Sequence, residues 1–408
     1  SRHERSFETR LAWSRRFGLR RDQRITVTDS RSVLPQVFHP SRNSAQQKTI
    51  IMKSTGHGFF AAQTSWRRRS QEIRRGLPRK FRTLLAIGCG LFIGAKAVAI
   101  PKTEQWGVQE IMLRGTAAGN PYVDVSLGAE FTLGSHHLTV PGFYDGNGIY
   151  RIRFSPDQLG TWAFVTKCNL AELNDRHGSF ECIPPARNNH GPVRIVNTFY
   201  LEYADGTPFY SVGTTAYQWT SVKQSIQEQT LATLAGSPFN KIRMAVFPKS
   251  YKYGNDTEPW QYPFVSSVDL ARPNYDFFQN FDRRVRQLLE LGIQADVILF
   301  HPYDRWGYLT MGRENNARYV RYMIARISAY RNVWWSLANE WNIPRIKDEI
   351  DWEEIGSILR QEDPHQRLRS IHNWNGSEEN FYDHTRPWVT HVSMQTSQFY
   401  NAIKWRDS

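Results

Sequence analysis

From Gln105 to about Asn197, apolar and polar positions alternate with a period of two. Tyr150, Ile152 and Phe154 interleave with Arg151 and Arg153, and Trp162, Phe164 and Thr166 carry the rhythm further. Asp145-Gly146-Asn147-Gly148, Ser155-Pro156 and Leu159-Gly160 supply turn chemistry between the runs. Short alternating strands, such turns and no long helical stretch predict an antiparallel β-sandwich over 104–198. After Tyr200 the rhythm changes. Ala204-Asp205-Gly206-Thr207 reads as a hairpin turn and 208–217 as a strand. Helical periodicity appears near 221–235 and over 275–291, 314–330 and 348–362. In 275–291 the apolar residues Phe278, Phe281, Val285, Leu288 and Leu289 share one face, and Gly292 ends it. Strands are predicted between these helices at 240–247, 293–300, 333–339 and 368–373, with a last one at 389–395.

Six strands alternating with helices or loops imply a parallel sheet, either a barrel or doubly wound. The strand ends carry polar groups: Tyr217 and Trp219, Arg243, His301 and Asp304, Asn339 and Glu340, His372 and Asn373, Gln395. In a (β/α)8 barrel all such ends converge on one site. A doubly wound sheet expects a Gly-rich loop after its first strand, and Gly213-Thr214-Thr215-Ala216 is not one. The expectation is therefore a β-sandwich followed by an incomplete (β/α)8 TIM barrel over 199–408, about six of eight strands. The two are expected to fold as separate units divided near Thr198.

The formal charge of +14 over 408 residues resembles that of a nucleic-acid binder until it is divided by position. Residues 1–100 hold 21 Lys and Arg against 5 Asp and Glu, and the remainder holds 31 against 33. The positive excess sits in the first quarter, which argues for a tail or targeting segment and against a basic folded surface. DNA binding, if any, should vanish on deleting 1–99. Residues 1–83 show Arg runs and no sustained apolar period, and part of them is expected to precede the true start, since the first methionine is Met52. Arg79-Lys80-Phe81-Arg82, the uncharged run Leu84 to Ala95 and Ala97-Val98-Ala99 have the anatomy of a secretory signal peptide, predicting export. The run is too short for an ordinary span of about 20 residues, so no stable membrane span is expected. In an exported protein Cys168 and Cys182 could pair, because their segments read as neighbouring strands. Three cysteines exclude a zinc site built from four, and His136-His137 alone is not a metal constellation, so neither metal nor cofactor is expected. The sequence says nothing of oligomeric state.

The strongest local signal is Trp334-Trp335-Ser336-Leu337-Ala338-Asn339-Glu340-Trp341-Asn342. An apolar strand ending in Asn-Glu places a carboxyl at the barrel mouth beside an amide. Glycoside hydrolysis needs an acid to protonate the leaving oxygen and a neighbour that hydrogen-bonds the sugar 2-hydroxyl. Desolvation among Trp and Leu should raise the Glu340 pKa, which suits a proton donor.

These residues resemble the acid/base signature of the large clan of retaining (β/α)8 glycoside hydrolases. Val140-Pro141-Gly142-Phe143-Tyr144, the run Tyr150 to Pro156 and Gly160-Thr161-Trp162 resemble the immunoglobulin-like module preceding some of these barrels. The run Asp205 to Thr215 resembles the barrel entry of an endoglucanase or apiosidase-like family. The resemblance implies hydrolysis of O-glycosidic bonds in a polysaccharide or oligosaccharide, with Glu340 as acid/base and Asn339 as the 2-hydroxyl partner. It implies Arg243 as the arginine orienting the nucleophile, and His301, His372, Gln395 and Tyr217 as substrate-facing groups. Trp219, Trp306, Trp341 and Trp374 lie just past strand ends, where their rings could stack on sugars. In the clan the nucleophile is a Glu ending strand seven, whereas Glu378 and Glu379 fall after strand five. The nucleophile and the last two βα units are therefore expected to be missing, and this chain alone not to be competent. The alternative is a non-catalytic carbohydrate-binding protein, which would show sugar affinity without turnover.

Overall fold

The computed structural model describes residues 100–250, 258–266, 269–343, 347, 349–374 and 381–396. The leader expected at 1–99, with its signal peptide at 79–99, lies outside them, as do Glu378 and Glu379. Ala95–Ser408 form one compact unit. Among the described residues no helix is long and apolar enough to cross a membrane.

The first part is an antiparallel sheet with one parallel edge pairing. Its strands are β1 (Lys102–Glu104), β2 (Gln109–Arg114), β3 (Leu127–Leu133), β4 (His136–Tyr144), β5 (Ile149–Phe154), β6 (Gly160–Cys168) and β7 (His177–Ile183), with one helical turn, α1 (Pro121–Asp124), after β2. They join in the order β1-β7-β6-β3-β4-β5-β2. The nine-residue β4 pairs with β3 through His136–Pro141 and with β5 through Gly142–Tyr144, so the sheet folds over at this strand. Phe131 of β3 stacks on Phe154 of β5 with ring centroids 4.2 Å apart, although these strands are not neighbours. Phe154 also meets Trp162 at 4.9 Å and Phe180 at 6.1 Å. The two layers thus enclose one aromatic core, as the alternation predicts for Tyr150, Ile152 and Phe154, all fully buried. Arg153, on the polar face of that alternation, is buried too.

The hairpin β8 (Val193–Val196) and β9 (Tyr200–Tyr203) follows. Val193 forms a small core with Phe209, Trp334 and Leu368, beneath the N-terminal ends of the next sheet's strands. That sheet is parallel and in sequence order: β10 (Gly213–Thr215), β11 (Lys241–Ala245), β12 (Gln294–Phe300), β13 (Val333–Ala338) and β14 (Arg369–Ser370). Between them run α2 (Gln224–Ala235), α3 (Tyr275–Glu290), α4 (Gly312–Ile327) and α5 (Glu349–Glu362). Every residue of β12 and β13 is buried, which is why these strands read as apolar runs instead of alternating. In α3 Asn274 caps the first turn by accepting from the Phe277 N–H at 3.4 Å. Gly292, at φ 72°, turns the chain out of the helix.

Three strands are much shorter than predicted, among them that at 368–373, which contracts to Arg369–Ser370. The strand at 208–217 contracts to Gly213–Thr215. The strand predicted at 389–395 reduces to one parallel bridge, His372 to Ser393. There the Thr390 hydroxyl accepts the Arg369 N–H at 2.7 Å, so a side chain takes the place of a ladder carbonyl.

The sandwich and the barrel sheet meet across a buried ion network. Asp282 of α3 pairs with Arg153 of β5 at 2.7 Å and with Arg326 of α4 at 2.7 Å. Arg326 also reaches Asp145, in the turn after β4, at 2.9 Å. The ring of Phe143 lies 5.0 Å from the Arg153 guanidinium and 4.5 Å from that of Arg326. This contact is why Arg153 is buried despite its place in the pattern, and it argues against folding as two separate units.

The Cys168–Cys182 bridge is not formed; both are free. Their strands are neighbours, as expected, but the antiparallel register pairs Cys182 with Gly160, at the far end of β6 from Cys168. Eight residues at about 3.3 Å each separate the thiols by roughly 26 Å, beyond any disulfide.

Candidate active site

Glu340 sits one residue beyond Asn339, where β13 gives way to loop. The Asn339 N–H donates to the Phe300 carbonyl at 3.0 Å, and the Trp341 N–H donates to the His372 carbonyl at 3.0 Å. These two bonds tie the chain to β12 and to the end of β14, and between them Glu340 adopts φ 51°. A non-glycine residue pays about 1–2 kcal/mol for the left-handed region, and such strain gathers at functional positions. Glu340 is 9% exposed, and among the described residues no group hydrogen-bonds its carboxyl. Burial pushes that carboxyl above the usual carboxylate range, while Lys249 and Arg243 pull the other way. The raised pKa expected from the sequence is present, and desolvation is its cause.

Asn339 is fully buried and gripped from three sides. Its Oδ1 accepts from the Tyr217 hydroxyl at 3.0 Å and from Arg243 Nη1 at 3.2 Å, and its Nδ2 donates to the Tyr303 hydroxyl at 3.4 Å. Arg243 of β11 also donates to the Ser336 hydroxyl at 3.3 Å and lies 3.5 Å from Asp296 of β12. Burial alone would raise the Asp296 carboxyl. Lys241, at 2.9 Å, and Arg243 more than offset this and hold it below its ordinary value. Asp296 therefore anchors Arg243, and Arg243 anchors Asn339.

The other predicted residues divide. His301 is buried, its Nε2 against the Phe247 carbonyl at 3.0 Å, and burial holds its pKa low. His372 Nδ1 meets the Ser393 hydroxyl at 3.0 Å and Nε2 meets Gln395 Oε1 at 3.4 Å, so these two predicted residues form a pair. Burial, with Arg243 nearby, lowers the His372 pKa to about 4. Trp374 is 40% exposed, consistent with a face open to a ring. Trp341 is partly buried and meets Tyr382 edge-on at 5.1 Å. Trp306 likewise packs against the core. Trp219 is not at the site surface. It is buried, and its indole N–H donates to the Gln227 carbonyl of α2 at 2.9 Å, so a sugar cannot stack on it.

Sequence reasoning missed Lys249, Tyr303, Ser336 and Asp296. Asp296 carried a usable signal, a lone acid inside the apolar run Gln294–Phe300. The others lie on a loop or among residues of ordinary strand character. Among the described residues no group of three or more His, Cys, Asp or Glu could hold a metal ion.

A polar cluster at the C-terminal ends of parallel strands, closing on one raised carboxyl, is the arrangement of a barrel enzyme's site. Comparison with known proteins bears on its class. No curated protein matches the chain. A solved structure described as a "putative glycoside hydrolase" from Bacteroides vulgatus is 41% identical, with a TM-score of 0.70, over 73% of this chain and 60% of its own. The present chain thus spans 60% of that protein's length. More distant are a family 5 glycoside hydrolase of the same organism (14% identity, TM-score 0.39, 49% of this chain, 43% of that one) and an endo-1,4-beta-mannanase of Rhizomucor miehei (16%, 0.35, 47% and 64%). Residues 102–169 match a domain of unknown function, DUF5060. Residues 196–407, which carry β10 to β14 and every residue of the cluster just described, match the family described as apiosidase-like, catalytic domain, and to that family the chain belongs.

Proposed function

We propose that the protein hydrolyses O-glycosidic bonds in a polysaccharide or oligosaccharide with retention of configuration. Glu340 is the acid/base and Asn339 the partner of the sugar 2-hydroxyl. One observation carries the reading: a carboxyl with a raised pKa stands at a strand end, beside an amide held by Tyr217, Arg243 and Tyr303. A proton donor must hold its proton near working pH, and burial of Glu340 supplies that. Arg243 and the pair His372–Gln395 would line the sugar site, and Trp374 would stack on a ring. Retention needs a second carboxylate about 5–5.5 Å from Glu340. Asp304 does not offer itself, because it accepts from the Trp306 and Leu309 N–H groups, at 2.8 and 2.6 Å. The nucleophile is assigned to a strand seven, as the resemblance implies.

The experiment is a leaving-group series. In a protein whose sheet is completed to eight strands, Glu340→Gln should lose roughly 10²–10⁴-fold on substrates with poor leaving groups and far less on activated aryl glycosides. Equal loss on both would remove Glu340 from the acid role. Sugar affinity without turnover in the unmutated protein would favour the binding-protein reading. The proposal includes an immunoglobulin-like class for the sandwich and export through 79–99. A mature N-terminus near Ile100 by mass spectrometry supports export, and a mature chain retaining Phe81 to Leu91 contradicts it.

A further inference from the structure

Lys249 follows β11 and lays its ammonium 4.3 Å from the centre of the Tyr217 ring and 4.2 Å from that of Tyr303. The two rings lie 6.5 Å apart and are tilted at 43°. Their hydroxyls meet on Asn339, one donating to its Oδ1 and the other accepting from its Nδ2. A single cation therefore lies across both rings whose hydroxyls orient the amide next to Glu340. Cation–π attraction favours this placement more strongly where water is partly excluded.

We propose that Lys249 is a positioning residue for Glu340: it clamps Tyr217 and Tyr303, which fix Asn339, and holds a positive charge beside the residues that flank the acid. This rests on the reading of Glu340 as acid/base given above.

Two cations hold the Glu340 carboxyl down against burial, Lys249 with the larger effect and Arg243 with the smaller. Arg243, from β11, shares its charge with Asp296 of β12. His301, after β12, and His372, after β14, are both held below their ordinary pKa by burial and add no positive charge at neutral pH. Lys347, before α5, has its ammonium 4.9 Å from the centre of the Phe300 ring. Burial lowers the Lys249 pKa and Glu340 raises it, the mark of two groups that sense each other's charge. An acid/base must give and then retake its proton, so a carboxyl raised by burial alone would give it up poorly. The Lys249 charge limits how far burial can raise it.

The test is a carbon-13 NMR titration of the Glu340 carboxyl in the 408-residue chain, the resonance assigned by its loss in Glu340→Gln. Lys249→Met keeps the side-chain length and removes the charge, so the Glu340 midpoint should move up. Lys249→Arg keeps both charge and ring contact and should return it towards the unmutated value. An unmoved midpoint in Lys249→Met overturns the proposal, even if the melting temperature falls, because a merely structural lysine predicts that pattern. If Lys249→Met does not fold, Lys249→Gln takes its place: a raised midpoint supports the proposal and an unmoved one overturns it. The titration needs no turnover. A midpoint that follows Lys249, in a site whose cleavage ignores Glu340, would refute the acid/base reading and leave the pairing standing.

Discussion

Asp282→Ala removes the carboxylate that two buried guanidiniums share. Arg326 is fully buried and Arg153 is 6% exposed, so neither charge can turn to water. Arg326 would keep Asp145 at 2.9 Å, and Arg153 would keep Glu110 at 2.8 Å. The two cations would nonetheless face each other across an emptied site, with Arg153 Nη1 already donating to the Arg326 carbonyl at 2.6 Å. Removing one partner from a buried ion pair costs about 3–5 kcal/mol, because the remaining charge has lost its compensation. At roughly 2 °C per kcal/mol for a unit of this size, the melting temperature should fall by roughly 6–10 °C. A surface pair supplies the control. Arg321 and Glu362 meet at 2.7 Å with side chains 52% and 38% exposed, and Glu362→Ala should cost under about 1 kcal/mol. Scanning calorimetry reads both. One cooperative transition over Ala95–Ser408, lowered by Asp282→Ala and nearly unmoved by Glu362→Ala, is expected. Two transitions, with the sandwich's unchanged in Asp282→Ala, would refute the coupling and restore the sandwich as an independent unit.

His372 makes stability depend on pH. Its pKa falls from an ordinary 6.5 to about 4 on folding, so between those values the unfolded chain binds a proton that the folded chain does not. Stability from this residue is full above pH 6.5 and drains as the pH drops towards 4, by up to about 3 kcal/mol. Urea unfolding from pH 7 to 4 should show that loss added to the loss from His391, also lowered to about 4 by burial, and His372→Gln should reduce the slope; an identical pH slope in the variant contradicts the assignment. For the cysteines, unfolded and unreduced protein should titrate Cys168 and Cys182 as free thiols. In the folded state Cys168 should react first, because burial pushes the Cys182 thiol up to about 11. A bridge between the two would mean a different β6–β7 register.

The parallel sheet was largely legible because its strands are buried on both faces and stand out as apolar runs between helical periods. Asn339-Glu340 was legible because two polar residues end such a run. Lys249 and Tyr303 were not, since a residue that works from a loop leaves no periodic trace. Trp219 and Arg153 mislead in opposite directions for one reason: period and position identify a face but not what covers it. α2 covers Trp219, and α3 and α4 cover Arg153. The cysteines show a similar limit, because strand adjacency can be read from sequence while antiparallel register cannot. The strand predicted at 389–395 keeps one bridge and one ladder bond, from the Thr390 N–H to the Arg369 carbonyl at 2.9 Å, while the Thr390 hydroxyl takes the Arg369 N–H that a carbonyl would otherwise accept.

The most direct measurement is azide rescue of Glu340→Ala on an activated aryl glycoside, in a protein that carries the proposed nucleophile. Such a substrate needs little protonation, so its first step should survive while the second stalls for want of a base. Azide needs no base. It should restore turnover and give a glycosyl azide of retained configuration. Uniform loss across leaving groups, no azide product and a lowered melting temperature would make Glu340 a structural residue and contradict the proposed chemistry.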